Sequence, residues 1–250
     1  MTEIRKERIA KVIARAGLCS RRESEDWIRA GRVMLNGHLL LTPAMTVAPE
    51  DHIVVDGKVL PGREKVRLWL YHKPRGLITT HKDPEGRPTI FQHLPQELPR
   101  VVSVGRLDMN SEGLLLLTNS GDVARFFEHP KTRMARTYRV RVFGEVNAEM
   151  PRLLRKGLTI DGIVYGPVEA TLEEQTERRK KEKANQWLRL TLYEGKNREI
   201  RNIVQYFGLS LNRLVRIGYG PFRLESLLPG DVLEVPAQRL EHELLKAGYT

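Results

Sequence analysis

The run Leu114-Leu115-Leu116-Leu117 limits most sharply what this chain can fold into. It is short, wholly apolar, and flanked by Gly113 and by Thr118-Asn119-Ser120-Gly121, the pattern of a buried strand ended by turn residues. A second apolar run, Val101-Val102-Ser103-Val104, precedes it. Two buried strands with a polar loop between them form a rigid mount, and that loop carries Asp108. A single loop aspartate is in general more often a turn or cap residue than a reacting one. Asp108 therefore becomes a candidate for chemistry only through its company.

At 250 residues and 40% hydrophobic content the chain can bury a core, as one large domain or two smaller ones. Lys and Arg number 42 against 31 Asp and Glu, a net charge of +11 that predicts a polyanionic partner. No apolar run approaches the roughly 20 residues of a spanning helix, and the amino terminus lacks the apolar core of a signal peptide. Nucleic acid is thus expected over a membrane surface. Cys19 is the single cysteine, which excludes an intrachain disulfide and fits a cytoplasmic location. There is no Cys-x-x-Cys, and the histidines at 38, 52, 72, 81, 93, 129 and 242 form no close helical pair, so no metal and no zinc-dependent deamination is expected. Gly218-Tyr219-Gly220 lacks the third glycine of a dinucleotide loop and reads as a turn.

Ile9, Val12, Ile13 and Ala16 recur at helical spacing before Gly17. Ser20 and Glu23 make a capping-box pattern that opens a second helix carrying Trp27 and Ile28 and stopping at Gly31. Val33 to Leu40 reads as a hairpin about Asn36-Gly37, and Ile53 to Val59 would complete a small sheet. Arg5, Lys6, Arg8, Lys11, Arg15, Arg21, Arg22, Arg29 and Arg32 lie on or beside the helix pair. The module resembles the S-four-like RNA-binding domain, named after a small-subunit ribosomal protein; a solvated, Arg-rich helical face is the plainer alternative. Pro61-Gly62-Arg63-Glu64-Lys65 has linker composition, which places a boundary near residue 63 and predicts domains over 1–63 and 64–250. Beyond it, strands are expected at 66–71, 101–107, 114–117, 138–143, 163–172, 187–193 and 211–217, with helices near 121–128, 148–155 and 198–207. This predicts an α+β domain with a mixed, largely antiparallel sheet flanked by helices. The run Glu177 to Lys183 reads as a charged loop between strands.

The stretch Gly105-Arg106-Leu107-Asp108, followed by Ser111-Glu112-Gly113 and the leucine run to Asn119, resembles the motif of pseudouridine synthases of the RsuA/RluB ribosomal family. Lys73-Pro74-Arg75-Gly76, Thr137-Tyr138-Arg139-Val140 and Glu194-Gly195-Lys196-Asn197-Arg198-Glu199-Ile200-Arg201 follow the family's order, and the likeness spans nearly the whole chain. Asp83-Pro84-Glu85-Gly86-Arg87-Pro88-Thr89 brings it closest to the RluB type, which acts on large-subunit RNA, beside a related type of the same domain order that acts on small-subunit RNA. Ser120 stands where an Asp is frequent and Asn202 where a basic residue is frequent; neither is at a motif's catalytic position.

The resemblance implies a cofactor-free isomerisation of uridine to pseudouridine in ribosomal RNA. Asp108 would start it, as nucleophile or as base, and Arg201 would keep Asp108 ionised and oriented. Asn197 is the expected cap of the helix carrying Arg201. Tyr138 opens an alternating strand, where a packing role is usual; the family match instead sets its ring against the target uracil. Arg106 would hold the duplex open or meet phosphate, or else pair with a neighbouring acid. Lys73 and Arg75 would contact phosphate or scaffold a tight turn, and Lys196 and Arg198 would face RNA. The expected partner is ribosomal RNA or an assembly intermediate, met by a monomer. The competing expectation is a non-catalytic RNA-binding or ribosome-assembly factor, which would not require Asp108, Tyr138 and Arg201 together.

Overall fold

The computed structural model describes residues 6–62, 64–173 and 185–249. The chain divides into two compact units, one of Met1–Arg67 with Gln96–Val102 and Thr118–Gly121, the other of Leu68–Pro95, Ser103–Leu117 and Asp122–Thr250.

In the first unit β1 (Glu7–Arg8) leads into α1 (Ile9–Arg15), then α2 (Arg21–Arg29), β2 (Val33–Leu35), β3 (His38–Leu40), β4 (Thr46–Val47), β5 (Ile53–Val55) and β6 (Lys58–Val59). The helical spacing of Ile9 and Ile13 puts both in the core, and Gly17 takes φ 81° just past the helix end. Ser20 Oγ accepts from the Glu23 N–H at 3.1 Å while Glu23 Oε2 accepts from the Ser20 N–H at 2.7 Å, so the predicted capping box forms. Asn36 and Gly37 both have positive φ, as a tight hairpin turn requires, and Asp56-Gly57 repeats the device. The resulting sheet runs β3-β2-β5-β6. Ile9, Ile13, Ile28, Val33, Ile53 and Val55 close its core.

The second unit contains all or nearly all of β7 (Leu68–Lys73), β8 (Val102–Val104), β9 (Glu112–Thr118), α3 (Gly121–Glu128), β10 (Arg136–Phe143), α4 (Met150–Lys156), β11 (Leu158–Ile160), β12 (Ile163–Tyr165) and β13 (Val168–Leu172). It continues with β14 (Asn185–Leu192), α5 (Glu199–Tyr206), β15 (Ser210–Tyr219), β16 (Phe222–Arg223), β17 (Val232–Glu234) and α6 (Ala237–Lys246). The large sheet runs β13-β14-β10-β15-β9-β7-β17, with β8 on β9 and β16 on β15. It is the mixed, largely antiparallel sheet of an α+β fold: β13, β14, β10 and β15 pair antiparallel, and β15 joins β9 in parallel through Val215↔Glu112 and Arg216↔Gly113. On β10 the alternation is clean, with Val140 and Val142 buried and Arg139 and Arg141 exposed. β9 is buried from end to end, which explains its unbroken leucines. Gly113 sits at φ 104°, and a Cβ there would lie 2.3 Å from the Arg216 carbonyl oxygen, so only glycine lets β15 approach β9 this closely. Ile200, Ile203 and Val204 of α5 and Met150 and Leu154 of α4 share a core with Val140, Leu188, Leu190 and Leu214 of the sheet.

Several boundaries differ from the sequence pattern. The expected strand over 163–172 is two: β12 pairs with β11 in a hairpin of its own and β13 joins the large sheet. Gly166-Pro167 separates them, and proline has no N–H to continue a ladder. Gly218 and Tyr219 are the end of β15, and the turn comes after them, where Tyr219 pairs with Phe222. β17 and α6 add elements to this unit that the sequence pattern did not suggest. The charged run Glu177 to Lys183 lies outside the described residues.

Candidate active site

The loop between β8 and β9 is held from beneath by a buried cation. Lys73, at the end of β7, is fully buried and its Nζ donates to three main-chain carbonyls: Pro74 at 3.0 Å, Asp108 at 3.1 Å and Ser111 at 2.9 Å. Burial pulls its ammonium down to about 8; Asp108 and Glu112 act against that shift, and Arg216 adds to it. The Ser111 N–H donates to the Asp108 carbonyl at 3.0 Å, the Gly76 N–H to Met109 at 2.8 Å, and Thr79 Oγ1 to Leu107 at 2.9 Å. The expected phosphate contact by Lys73 is therefore corrected: with no surface to offer, it is scaffolding for the loop.

Asp108 keeps its carboxylate at the surface while its backbone is pinned. Arg201, projecting from α5, brings Nε to 3.4 Å from Asp108 Oδ2 and Nη2 to 3.2 Å from Ser111 Oγ. The aspartate side chain is 46% exposed and the arginine 20%, so solvent screens the pair and its contribution to stability is small. Its value lies in aiming one group at the other. Asn197 does not cap α5: the cap position is Arg198, in the left-handed region at φ 52° with no side-chain cap bond. The loop that enters the helix is tied to its first residue instead, where Glu199 Oε2 accepts the Lys196 N–H at 3.1 Å.

Tyr138 lies on β10 opposite Leu190 of β14 and Arg216 of β15. Asp108, Tyr138 and Arg201 line one cleft of about 270 Å³, together with Arg106, Lys196, Arg198, Glu199 and Arg216. Three residues far apart in sequence thus meet as expected, and so do three of the proposed RNA contacts. Arg75 is exposed but does not line the cleft. In the first unit Lys6, Arg8, Arg21 and Arg22 are exposed, whereas Lys11 and Arg15 both reach Glu7, at 2.9 and 2.6 Å. Arg29 pairs with Asp26 at 3.1 Å, Arg32 bonds Asp56 and covers the Trp27 ring at 4.4 Å, and Arg5 lies outside the described residues.

Two buried charged residues of the cleft were not singled out from sequence. Glu199 is pushed up to about 7 by burial and by the neighbouring Glu194. Glu194, although burial opposes it, is held below its ordinary value by Lys196 and by the Gly166 N–H. Arg216 is 2% exposed and donates from Nε to the Leu114 carbonyl at 2.7 Å. Its signal was present: a lone cation inside the apolar run Leu214-Val215-Arg216-Ile217 needs a reason to be there.

A carboxylate beside a guanidinium, with an aromatic ring in the same cationic cleft, suits chemistry on a base drawn out of a nucleic acid. Comparison with known proteins agrees. The family model described as RNA pseudouridylate synthase matches residues 67–206, and that of the S4 domain matches residues 7–53. The chain is 48% identical to an uncharacterized RNA pseudouridine synthase of Rickettsia prowazekii over 95% of this chain and 98% of that one. It is 40% identical to ribosomal large subunit pseudouridine synthase B of Escherichia coli K12, over 89% of this chain and 77% of the relative. A solved structure described as a pseudouridylate synthase superposes with a TM-score of 0.65 at 25% identity, covering 94% of this chain and 99% of that one. With a small S4 domain ahead of a matching catalytic fold, the chain belongs to the RNA pseudouridylate synthase family.

Proposed function

We propose that this protein isomerises uridine to pseudouridine in ribosomal RNA, at a site in the large subunit. The observation that carries the reading is the Asp108–Arg201 pair, 3.4 Å apart in a cleft that Tyr138 also lines. The large subunit is suggested by the Escherichia coli relative, whose name gives that substrate.

The reaction breaks the bond between ribose C1′ and N1, turns the uracil, and rejoins it through C5. It consumes no redox equivalent, and the target base must first leave its stack. In this reading Asp108 acts on the ribose, as nucleophile at C1′ or as base at C2′, and its exposed carboxylate on a pinned backbone suits either route. Arg201 orients that carboxylate. Tyr138 stacks on the flipped uracil, worth roughly 1–3 kcal/mol for such contacts, and its hydroxyl assists loss of the C5 proton. Arg106, Lys196 and Arg198 meet phosphate at the rim, and residues 1–63 anchor the RNA through Arg21, Arg22 and their neighbours. The protein works as a cytoplasmic monomer on ribosomal RNA, free or in an assembly intermediate.

The test is to incubate the protein separately with unmodified large- and small-subunit RNA and map pseudouridine by carbodiimide adducts that stop reverse transcription. A single new stop in large-subunit RNA, lost with Asp108→Asn, is expected. A stop only in small-subunit RNA would overturn the substrate assignment, and no stop in either would overturn the activity.

A further inference from the structure

Arg216 is the least comfortable residue in the cleft. Its side chain is 2% exposed, yet among the described residues no carboxylate is bonded to it and its Nη2 is buried without a hydrogen-bond partner. Nε is committed to the Leu114 carbonyl, and the guanidinium lies over the Tyr219 ring at 5.1 Å. A second buried cation, Lys73, is close enough that Arg216 weakens its charged form. An unpaired buried charge beside another of the same sign costs stability, and a fold keeps such a group only where something else offsets that cost.

What offsets it follows from where it sits. Arg216 lies directly across from Tyr138 on β10 and from Gly113 on β9, so its side chain shares the sheet face of Tyr138 and borders the loop that carries Asp108. All three line the same cleft. We infer that Arg216 takes part in the reaction as a positioning charge: its guanidinium, buried at the cleft wall, stabilises the negative charge that gathers on the target uracil as the glycosidic bond breaks. This role rests on the uridine-isomerising reading above.

The flow of electrons requires such a group. When C1′–N1 breaks, the bonding pair stays with N1 and spreads onto the carbonyl oxygens of the departing uracil. The deficit at C1′ is met by an Asp108 oxygen, or by loss of the C2′ proton to Asp108. After the base turns, C5 bonds to C1′ and gives up its proton, while N1 gains one. In every version the uracil is an anion between cleavage and rejoining, held in the cleft that Arg216 lines. A fixed guanidinium that needs no reorganisation is the efficient partner.

The test uses leaving-group ability. Single-turnover cleavage is measured for full-length protein carrying Arg216→Met, with Arg216→Lys as the charge-preserving variant, on RNA with uridine or 5-fluorouridine at the target. Fluorine stabilises the uracil anion by itself and so replaces part of what Arg216 supplies. Arg216→Met is expected to lose about 100-fold on uridine, the typical effect of removing one such electrostatic partner, and distinctly less on 5-fluorouridine, while Arg216→Lys recovers part of the loss. Their RNA affinity should stay close to the parent's. Because both substrates meet the same folded fraction, the ratio of the two losses is insensitive to any destabilisation. Equal losses on the two substrates would show that Arg216 only supports the fold, and an unchanged rate on uridine would remove it from the reaction. A parent protein inert on both substrates would overturn the functional reading itself, and this role with it.

Discussion

Lys73 Nζ donates to the main-chain carbonyl of Asp108 at 3.1 Å, so the acid at the centre of the cleft is positioned through its backbone by a cation that never reaches solvent. The same ammonium also holds Pro74 and Ser111. This separates two tasks that one side chain could not do together: the Asp108 carboxylate remains open to substrate while its attachment is fixed.

Replacing Lys73 by Met keeps the volume and removes all three hydrogen bonds. The Asp108 carbonyl keeps the Ser111 N–H, but a buried carbonyl that loses its partner costs about 1–3 kcal/mol, so a net loss of about 3 kcal/mol in urea unfolding is expected. Turnover should fall as well, through misplacement of Asp108. A Lys73→Met protein with parental stability and kcat would show that the loop holds itself.

Arg201 contacts both Asp108 and Ser111, so Arg201→Met should lower kcat about 100-fold, the scale of removing one electrostatic partner from a site, with little change in unfolding free energy because the pair is screened. Steady-state kinetics with equilibrium unfolding checks both halves. A variant losing stability but not kcat would reverse the assignment.

Much of this arrangement was legible in sequence. The leucine run announced β9, the Ser20 and Glu23 spacing announced α2, and the ordered motifs brought Asp108, Tyr138 and Arg201 to one cleft. What stayed hidden depends on which face of an element is covered. Lys73 lies in a strand buried on both sides, which a local Lys-Pro-Arg-Gly turn does not disclose. Glu199 gave no sign of burial in its motif, and Arg216 gave only that of a cation in an apolar run, because the parallel pairing of β15 with β9 and the packing of α5 are what close them off. Asn197 had the right chemistry for a cap, but the backbone turns left-handed one residue later and the cap position falls on Arg198, which makes no side-chain cap bond.

Glu199 gives a pH signature. Its folded-state value is raised from 4.5 to about 7 by burial and by Glu194, so the folded protein holds a proton that the unfolded chain has released across that interval. Stability from this group is therefore complete below pH 4.5 and is lost as pH rises towards 7. Glu199→Gln, which cannot titrate, should flatten the fall between those values by on the order of 2 kcal/mol. Urea melts at several pH values read it directly; an identical slope in parent and variant would remove Glu199 from the titration.

The first unit should act through charge alone. Arg21 and Arg22 are exposed on α2, so Arg21→Glu with Arg22→Glu is expected to weaken RNA binding and to reduce the salt slope by roughly 0.7 to 0.9 for each phosphate no longer neutralised. KM should rise with kcat at saturating RNA nearly unchanged. A salt titration of binding with an unaltered slope would show that the RNA anchor lies elsewhere.

Every role proposed for the cleft turns on Asp108 converting uridine. The most direct measurement is release of tritium from uridine labelled at C5 in unmodified large-subunit RNA, because C5 must give up its hydrogen to become the glycosidic carbon. The full-length protein should release one equivalent per target site, and Asp108→Asn, folded and still bound to RNA, should release none. Parental release by Asp108→Asn, or no release by the unaltered protein, would contradict it.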